Sequence, residues 1–213
     1  MPTRRTTTLT TPNGPVDIFT YVTPEELAGY ELDPGIGVFS RYRSIITSKQ
    51  TLEEIARDPE ANLTLAIAQP QRIVGYVVRR RPKPPERWAM MDPPIMHELF
   101  GELARGWRGM GIIRPMVEMV VLEPENEERI LYIVGYSWHW DLDGTGRSLM
   151  EYRQSLISLL APLGFKIYPT NEPNVNLRPE NLFMARLGAK VEADPVLKRK
   201  FTNLLFGISP EED

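Results

Sequence analysis

The sequence contains no cysteine. This absence excludes disulfide bonds, thiolate zinc sites and cysteine nucleophiles, and it fits a reducing cytoplasm, where we expect the protein to reside. The two histidines, His97 and His139, lack the spacing of metal ligands, so we expect no metal cofactor. No apolar run reaches the ~18–20 residues that cross a bilayer, and no apolar stretch follows Arg4 and Arg5. We therefore predict neither a membrane partner nor a secretory signal.

Charge of one sign is not in large excess either, because the net charge is −3. The chain as a whole is therefore not built to bind a polyanion. The basic run at residues 79–83 has no interleaved aromatic side chains, so we interpret it as a solvated rim and predict no nucleic-acid partner. The 213 residues suffice for a sizeable core. We predict a flexible tail over residues 1–15 and a single domain over residues 16–208.

Hydrophobic periodicity predicts alternating strands and helices. The predicted strands cover residues 16–22, 63–68, 72–78, 96–104, 130–136, 165–168 and 201–206. The second and third of these are predicted to form a hairpin around a turn at residues 69–71. The predicted helices cover residues 48–57, 111–121, 148–163 and 179–187. A capping box of Thr23 and Glu26 predicts one further short helix. This order indicates an α/β (α+β) fold with a mixed, mostly antiparallel central sheet flanked by helices.

The central motif of the chain is residues 102–113, whose pattern predicts a strand, a glycine turn and the first turn of a helix. Arg108, Gly109 and Gly111 occupy the turn. Unbonded N–H groups at a helix start, the helix dipole and nearby arginines together suit a phosphate or pyrophosphate. Many short glycine turns merely join two elements, and the stretch contains neither a P-loop nor a third glycine that would complete a dinucleotide-binding fingerprint.

Residues 107–111 (WRGMG) resemble the acetyl-CoA loop of the GCN5-related N-acetyltransferases, the GNAT superfamily. Gly109 and Gly111 match the glycine positions of that loop. Gly106 stands where the family prefers arginine or glutamine. Pro115 is a second departure, because proline fits only the first turn of a helix or bends it, so the helix should begin no earlier than about Gly111. The resemblance implies the GNAT fold and acetyl-CoA as the acetyl donor.

The second informative stretch is residues 136–142 (YSWHWDL). If the preceding strand continues, Ser137, His139 and Asp141 share one face, which suggests a hydrolase triad. Same-face neighbours on a strand are about 6–7 Å apart, beyond hydrogen-bond reach, and no nucleophile elbow is present. We therefore interpret the stretch as packed aromatics at a strand end or as one wall of a cleft.

Several segments together resemble the AcuA-type branch of the acetyltransferases, the acetoin-utilization proteins. They are residues 84–88, 97–99, 132–142, 151–153 and 181–188, and the likeness extends over roughly residues 63–191. That branch is similar to enzymes that acetylate a lysine of acetyl-CoA synthetase and so switch the synthetase off. The resemblance therefore implies a protein acceptor such as acetyl-CoA synthetase.

The resemblance also implies which residues bind the donor. The backbone at Leu103 and Ala104 would hold the pantetheine arm and polarise the thioester carbonyl. The pyrophosphate would lie on the turn formed by Arg108, Gly109, Met110, Gly111 and Ile112. Asn181 is a further candidate cofactor contact, although it could equally cap the predicted helix.

Three residues are candidates for proton transfer. Glu102 stands where many relatives place the general base, but it could instead be a structural carboxylate or pair with Arg105. His139, with Asp141, is the second candidate, acting through water. Tyr152 is the candidate acid for the CoA thiolate, with packing in the core as the alternative.

Three functions are consistent with these patterns. The first is a protein lysine acetyltransferase, the second a small-molecule amine acetyltransferase, and the third a non-catalytic CoA-binding regulator. The departures at Gly106 and Pro115 keep the third open. No pattern in the sequence indicates an oligomeric state.

Overall fold

The computed structural model describes residues 3–38, 46 and 48–208. The chain divides into two compact units. The first comprises Met1–Arg80 and Phe100–Val121, and the second comprises Arg81–Leu99 and Leu122–Asp213. Among the described residues, no helix is both long and apolar enough to cross a membrane.

The first unit is a sheet with three helices. Its strands are β1 (Thr6–Thr11), β2 (Gly14–Phe19), β3 (Glu31–Leu32), β4 (Asn62–Ala68), β5 (Arg72–Arg80) and the second half of β6 (Met96–Leu103). Its helices are α1 (Pro24–Leu27), α2 (Lys49–Ala56) and α3 (Ile113–Val121), with a 3-10 helix at Arg105–Trp107. The order β1-β2-β4-β5 is antiparallel throughout, β3 pairs parallel with β5, and β6 follows β5.

The central hairpin β4–β5 forms because its residues are apolar on both faces. Every residue of β4 is buried, and so are the interior residues of β5. Strands of this kind stay in place by packing on both sides of the sheet. The hairpin predicted around residues 69–71 is confirmed, and so is the Thr23–Glu26 capping box at the start of α1.

The N-terminal residues form a strand where the sequence predicted a flexible tail. Strand β1 pairs along its whole length with β2. The turn between them brings Asn13 to the 3-10 helix, where its side-chain amide donates to the carbonyl of Gly106 (3.0 Å). Near the C-terminal end of α3, the side chain of Arg5 donates to the carbonyl of Met119 (3.4 Å). The threonines of β1 explain this strand, because their branched side chains favour the β conformation.

The second unit is a smaller sheet covered by helices. Its strands are the first half of β6, β7 (Ile130–Gly135), β8 (Lys166–Ile167) and β9 (Leu182–Leu187). Its helices are α4 (Leu142–Thr145), α5 (Leu149–Leu160), α6 (Pro173–Asn176), α7 (Ala189–Ala193) and α8 (Pro195–Phe206), with 3-10 helices at Arg87–Met90, Pro124–Glu128, Ser137–His139 and Ala161–Leu163. The order is β6-β7-β9-β8; β6 and β7 are parallel, and the other pairs are antiparallel. Both units thus mix strands and helices with mostly antiparallel pairing, as predicted.

Stacked aromatic rings form the core of the second unit. Trp88 lies on Phe183 with 4.4 Å between ring centroids, and Tyr132 stacks on Phe183 at 5.7 Å. Phe201 of α8 completes the cluster. Such rings bury a large apolar area each, so this cluster fixes how α8 packs on the sheet.

Two predicted elements of the second unit were wrong. Residues 182–187 form strand β9 rather than a helix, because β9 lies between β7 and β8 and pairs with both, and this pairing overrides the helix propensity of its leucines, methionine and alanine. Residues 201–206 belong to helix α8 rather than to a strand. The side chain of Asp194 accepts from the first N–H groups of α8, Pro195 occupies its first turn, and Gly207 ends it in the left-handed conformation.

Replacing Gly101 by alanine should destabilise the first unit. A β-carbon there would lie 2.6 Å from the carbonyl oxygen of Tyr76 and 3.2 Å from the Cα of Val77, and both are backbone atoms that resist displacement. We expect a loss of roughly 1–3 kcal/mol in the free energy of unfolding, measured by urea denaturation. Gly106→Ala is the matched control, since its β-carbon would meet nothing within 4 Å. Equal stability of the two variants would contradict this packing.

Candidate functional site

The glycine turn of the first unit connects the end of β6 to the start of α3. Gly109 and Gly111 have positive φ angles of 75° and 77°. Residues other than glycine adopt this conformation at a cost, so the backbone requires glycine at both positions. A β-carbon at either would meet nothing within 4 Å, which shows that the outer side of the turn is open.

The start of helix α3 supplies donors to the same turn. The helix begins at Ile113, as predicted from Pro115, which occupies its third position. The first N–H groups of a helix have no acceptor within the helix, and Pro115 has no N–H at all. Arg105 and Arg114 are exposed on either side of the turn. Open space, helix N–H groups and cationic side chains are the features that accommodate a phosphate.

Arg108 ties the turn back to the strand. Its Nε donates to the carbonyl oxygen of Leu103 (3.0 Å), and its Nη2 lies 3.8 Å from Oε1 of Glu102. The side chain is 19% exposed. Arg108 therefore holds the shape of the turn while keeping its charge close to the open side.

Glu102 is a buried carboxylate with several donors. Its Oε1 accepts from the N–H of Gly37 (2.8 Å), and its Oε2 accepts from the hydroxyl of Tyr76 (3.2 Å). Together with Arg108, these contacts give the carboxylate a structural role. To accept a proton from an amine, it would have to exchange one of these contacts.

The backbone at Leu103 and Ala104 is already partly used. The N–H of Ala104 donates to the carbonyl oxygen of Val74 (2.9 Å), and its carbonyl oxygen accepts from the N–H of Trp107 (2.9 Å). The carbonyl of Leu103 accepts from Arg108. A carbonyl oxygen keeps a second lone pair, so acceptors remain at this strand end. Both side chains are buried, as is that of Ile112, whereas Met110 is half-buried.

In the second unit, β7 ends at Gly135, one residue before the end of the strand predicted over residues 130–136. Ser137–His139 form a 3-10 helix, in which the N–H of His139 donates to the carbonyl of Tyr136 (2.9 Å). The pairing with β9 ends because the side-chain Oδ1 of Asn181 accepts the N–H of Ser137 (2.7 Å). The alternation of faces considered for a continuing strand does not occur, and the residues after Gly135 are packed aromatics at a strand end, as interpreted from the sequence.

Asn181 precedes β9 and does not lie in the helix predicted for it. Besides accepting from Ser137, its amide donates through Nδ2 to the carbonyl of Asn174 (2.7 Å). The residue is 6% exposed, and both ends of its amide are engaged. Asn181 thus joins the loop before β9 to the segment after β7.

His139 lies against two stacked rings. Tyr136 and Trp138 stack with 4.8 Å between ring centroids, and His139 meets them edge-on at 5.9 and 6.1 Å. Burial lowers the pKa of His139 below its ordinary value of 6.5. The imidazole is consequently neutral near pH 7, the form that can accept a proton.

Asp141, Ser137 and Tyr152 have packing or capping contacts. Asp141 is buried, and its Oδ1 accepts from the N–H of Gly144 (3.0 Å) at the start of α4. The hydroxyl of Ser137 is buried without a hydrogen-bond partner among the described residues. Tyr152 is half-buried and stacks on Trp140 at 5.0 Å between ring centroids, which is the packing role considered for it.

Tyr136 is a candidate hydrogen-bond donor that the sequence analysis did not single out. Burial, and then the charges of Glu172, Glu86 and Glu98, raise its pKa to about 12. Its phenol therefore stays protonated at neutral pH and remains a donor. The carboxylates that surround it come from distant parts of the sequence, so no local pattern could have revealed it.

The structure thus groups the predicted residues by unit. Glu102, Leu103, Ala104 and residues 108–112 form one continuous feature of the first unit. In the second unit, Trp140 stacks on Tyr152 directly after His139, and Asn181 bonds to Ser137. In the described parts of the chain, no group of three or more acidic or histidine side chains could hold a metal ion.

Comparison with similar proteins shows the family to which this chain belongs. The chain is 32% identical over 199 residues to the acetoin utilization protein AcuA of Bacillus licheniformis, covering 93% of this chain and 92% of that protein. The chain belongs to the AcuA family. A crystal structure of an acetoin utilization protein from Exiguobacterium sibiricum matches this AcuA-family chain with a TM-score of 0.87 and 33% identity, covering 97% and 96% of the two chains. No family model matches the sequence.

The fold of this AcuA-family chain is that of the GNAT acetyltransferases. The GNAT domain of PAT from S. lividans superposes with a TM-score of 0.54 at 10% identity, covering 84% of this chain and 95% of that one. At this identity, the likeness concerns the fold alone. Together with the AcuA relatives, this fold supports an acetyltransferase.

Proposed function

We propose that this protein transfers the acetyl group of acetyl-CoA to a lysine of a cytoplasmic protein. The proposed acceptor is acetyl-CoA synthetase, whose activity would be regulated by this lysine acetylation. The amine nitrogen attacks the thioester carbon, the carbon–sulfur bond breaks, the amine loses a proton and the CoA thiolate gains one. Membership of the AcuA family supports the acceptor. The open glycine turn before α3 is the observation that supports acetyl-CoA as the donor.

The donor fits the first unit at that turn. We assign its phosphates to the N–H groups and positive end of α3, with Arg108, Gly109, Met110, Gly111 and Ile112 forming the turn. Arg108 would add charge without moving, because its contacts to Leu103 and Glu102 already hold it there. The remaining acceptor capacity at Leu103 and Ala104 is the place for the amide groups of the pantetheine arm.

The proton balance requires a base, because a free lysine with a pKa of about 10.4 is largely protonated at neutral pH. We propose His139 as the proton acceptor, acting through water, since burial keeps its imidazole neutral. Glu102 is the second candidate, and its engaged oxygens favour a positioning role on Arg108. Tyr152 is the proposed donor to the thiolate. Asn181 acts by positioning Ser137 and the segment that carries His139.

The acceptor is tested by offering two amines side by side. With acetyl-CoA present, we expect mass spectrometry to find an acetylated lysine on acetyl-CoA synthetase and synthetase activity to fall in parallel. A synthetase with arginine at the modified lysine should keep its activity. Acetylation of spermidine but not of the synthetase would establish the small-molecule alternative. Tight CoA binding without transfer to either would establish the non-catalytic regulator.

The donor turn is tested by Gly109→Glu. The new carboxylate would stand in the turn and repel phosphates, and its β-carbon would be strained at φ 75°. We expect acetyl-CoA affinity in calorimetric titration to fall by at least about tenfold, that is ~1.4 kcal/mol. Gly146→Glu is the control, since Gly146 also has a positive φ (64°) and open space around its β-carbon. Equal affinity of the two variants would place the donor elsewhere.

The base is tested by the pH dependence of kcat/KM. Because burial lowers the pKa of His139, its imidazole stays neutral down to a pH below 6.5, and the rate should fall only as the pH drops further. His139→Gln should reduce kcat/KM by about 100-fold and remove this acid limb. If Glu102→Gln removes the limb and His139→Gln retains it, Glu102 is the base.

A further inference from the structure

A cleft in the second unit shares one lining residue, Asn181, with the function proposed above, and its other lining residues have no role there. It lies among α5, β8, α6 and β9 and has a volume of about 240 Å³. Two arginines, Arg153 and Arg178, line it, and none of its lining residues is acidic. A concave site with charge of one sign selects ligands of the opposite sign.

Both arginines lack partners within the described part of the chain. The Nε of Arg153 is buried without a hydrogen bond. No ion pair or side-chain hydrogen bond involves either guanidinium among the described residues. Leaving a buried charged donor unpaired is unfavourable, and an incoming acceptor would relieve that cost.

Two acidic residues of the neighbouring helices, Glu172 and Glu151, are engaged in helix caps. Glu172 accepts from the N–H of Val175 (2.8 Å) and so caps α6. Glu151 accepts from the N–H of Ser148 (2.8 Å) in the capping box of α5. These capping contacts account for the two carboxylates.

The walls of the cleft are fixed and partly apolar. Asn176 donates to the carbonyl of Thr170 (2.8 Å), and Asn181 holds the end of the same loop. Leu182 and Phe183 are buried beneath the cleft, whereas Ile167 at its side is 45% exposed. The apolar side chains suit a short carbon chain, and the arginines suit an anionic group at its end.

We propose that this cleft binds a carboxylate carried on a short aliphatic stem. Guanidinium groups match the planar geometry of carboxylates and bind them through paired hydrogen bonds. Two sources share this chemistry: a free small dicarboxylate, and an acidic side chain of an acceptor protein. Binding in this cleft does not require acetyl transfer, so the proposal stands or falls apart from the function proposed above.

The direct test is calorimetric titration of succinate, with inorganic phosphate for comparison. Succinate should bind more tightly than phosphate, because phosphate leaves the apolar wall uncovered. Arg153→Gln and Arg178→Gln should each weaken succinate by about tenfold, and the double variant should abolish binding. Arg153→Lys, which keeps the charge but loses the paired hydrogen bonds, should be intermediate. Arg199→Gln, an exposed arginine of α8 outside the cleft, is the control.

Competition identifies the source. Displacement of succinate by a lysine peptide containing glutamate, but not by the same peptide with glutamine, assigns the site to the acceptor. Failure of both peptides assigns it to a free dicarboxylate. No binding of succinate, or equal binding by the folded double variant, would overturn the proposal. It would also be overturned if the double variant lost acetyl-CoA affinity in proportion, because the cleft would then belong to the donor.

Discussion

The first unit depends on one largely buried carboxylate. Glu102 must find its hydrogen bonds inside the protein, and it finds them in Gly37, Tyr76 and Arg108. These residues come from the loop after β3, from β5 and from the glycine turn. An unsatisfied buried carboxylate is so costly that the three segments are held to one arrangement. The turn owes its shape to this constraint as much as to its glycines.

An amide has the corresponding role in the second unit. Asn181 takes up one N–H and one carbonyl that the sheet leaves over, and so sets where β7 ends and where the next segment turns. The aromatic residues that follow can then stack around His139. In both units, a side chain first considered for chemistry or cofactor binding satisfies the backbone, and the chemistry of neighbouring residues depends on it.

Sequence patterns correctly predicted the elements that short-range interactions determine. The hairpin β4–β5, the capping box at Thr23 and the start of α3 near Pro115 follow from hydrophobic periodicity, caps and proline sterics, and all three are confirmed. The family also followed from short motifs. The error at β9 arose because pairing with two distant strands overrides the local helix preference.

Helix α8 is a different kind of error, because its signals were local. Asp194, Pro195 and Gly207 mark its ends, but the apolar residues between them favoured a strand. The carboxylates near Tyr136 and the unpaired arginines of the cleft could not be predicted, since each depends on which residues fold next to one another. Sequence motifs located the turn, whereas the electrostatics around it required the fold.

The N-terminal hairpin contacts the chain on both sides of the glycine turn. Asn13 reaches the entry of the segment that contains α3, and Arg5 reaches its exit. The distance between these two contacts depends on the number of residues in β1. Since strand side chains alternate in direction, deleting one residue from β1 would turn Arg5 to the opposite face while leaving Asn13 in place. Natural variation in this hairpin should therefore favour substitutions over changes of length.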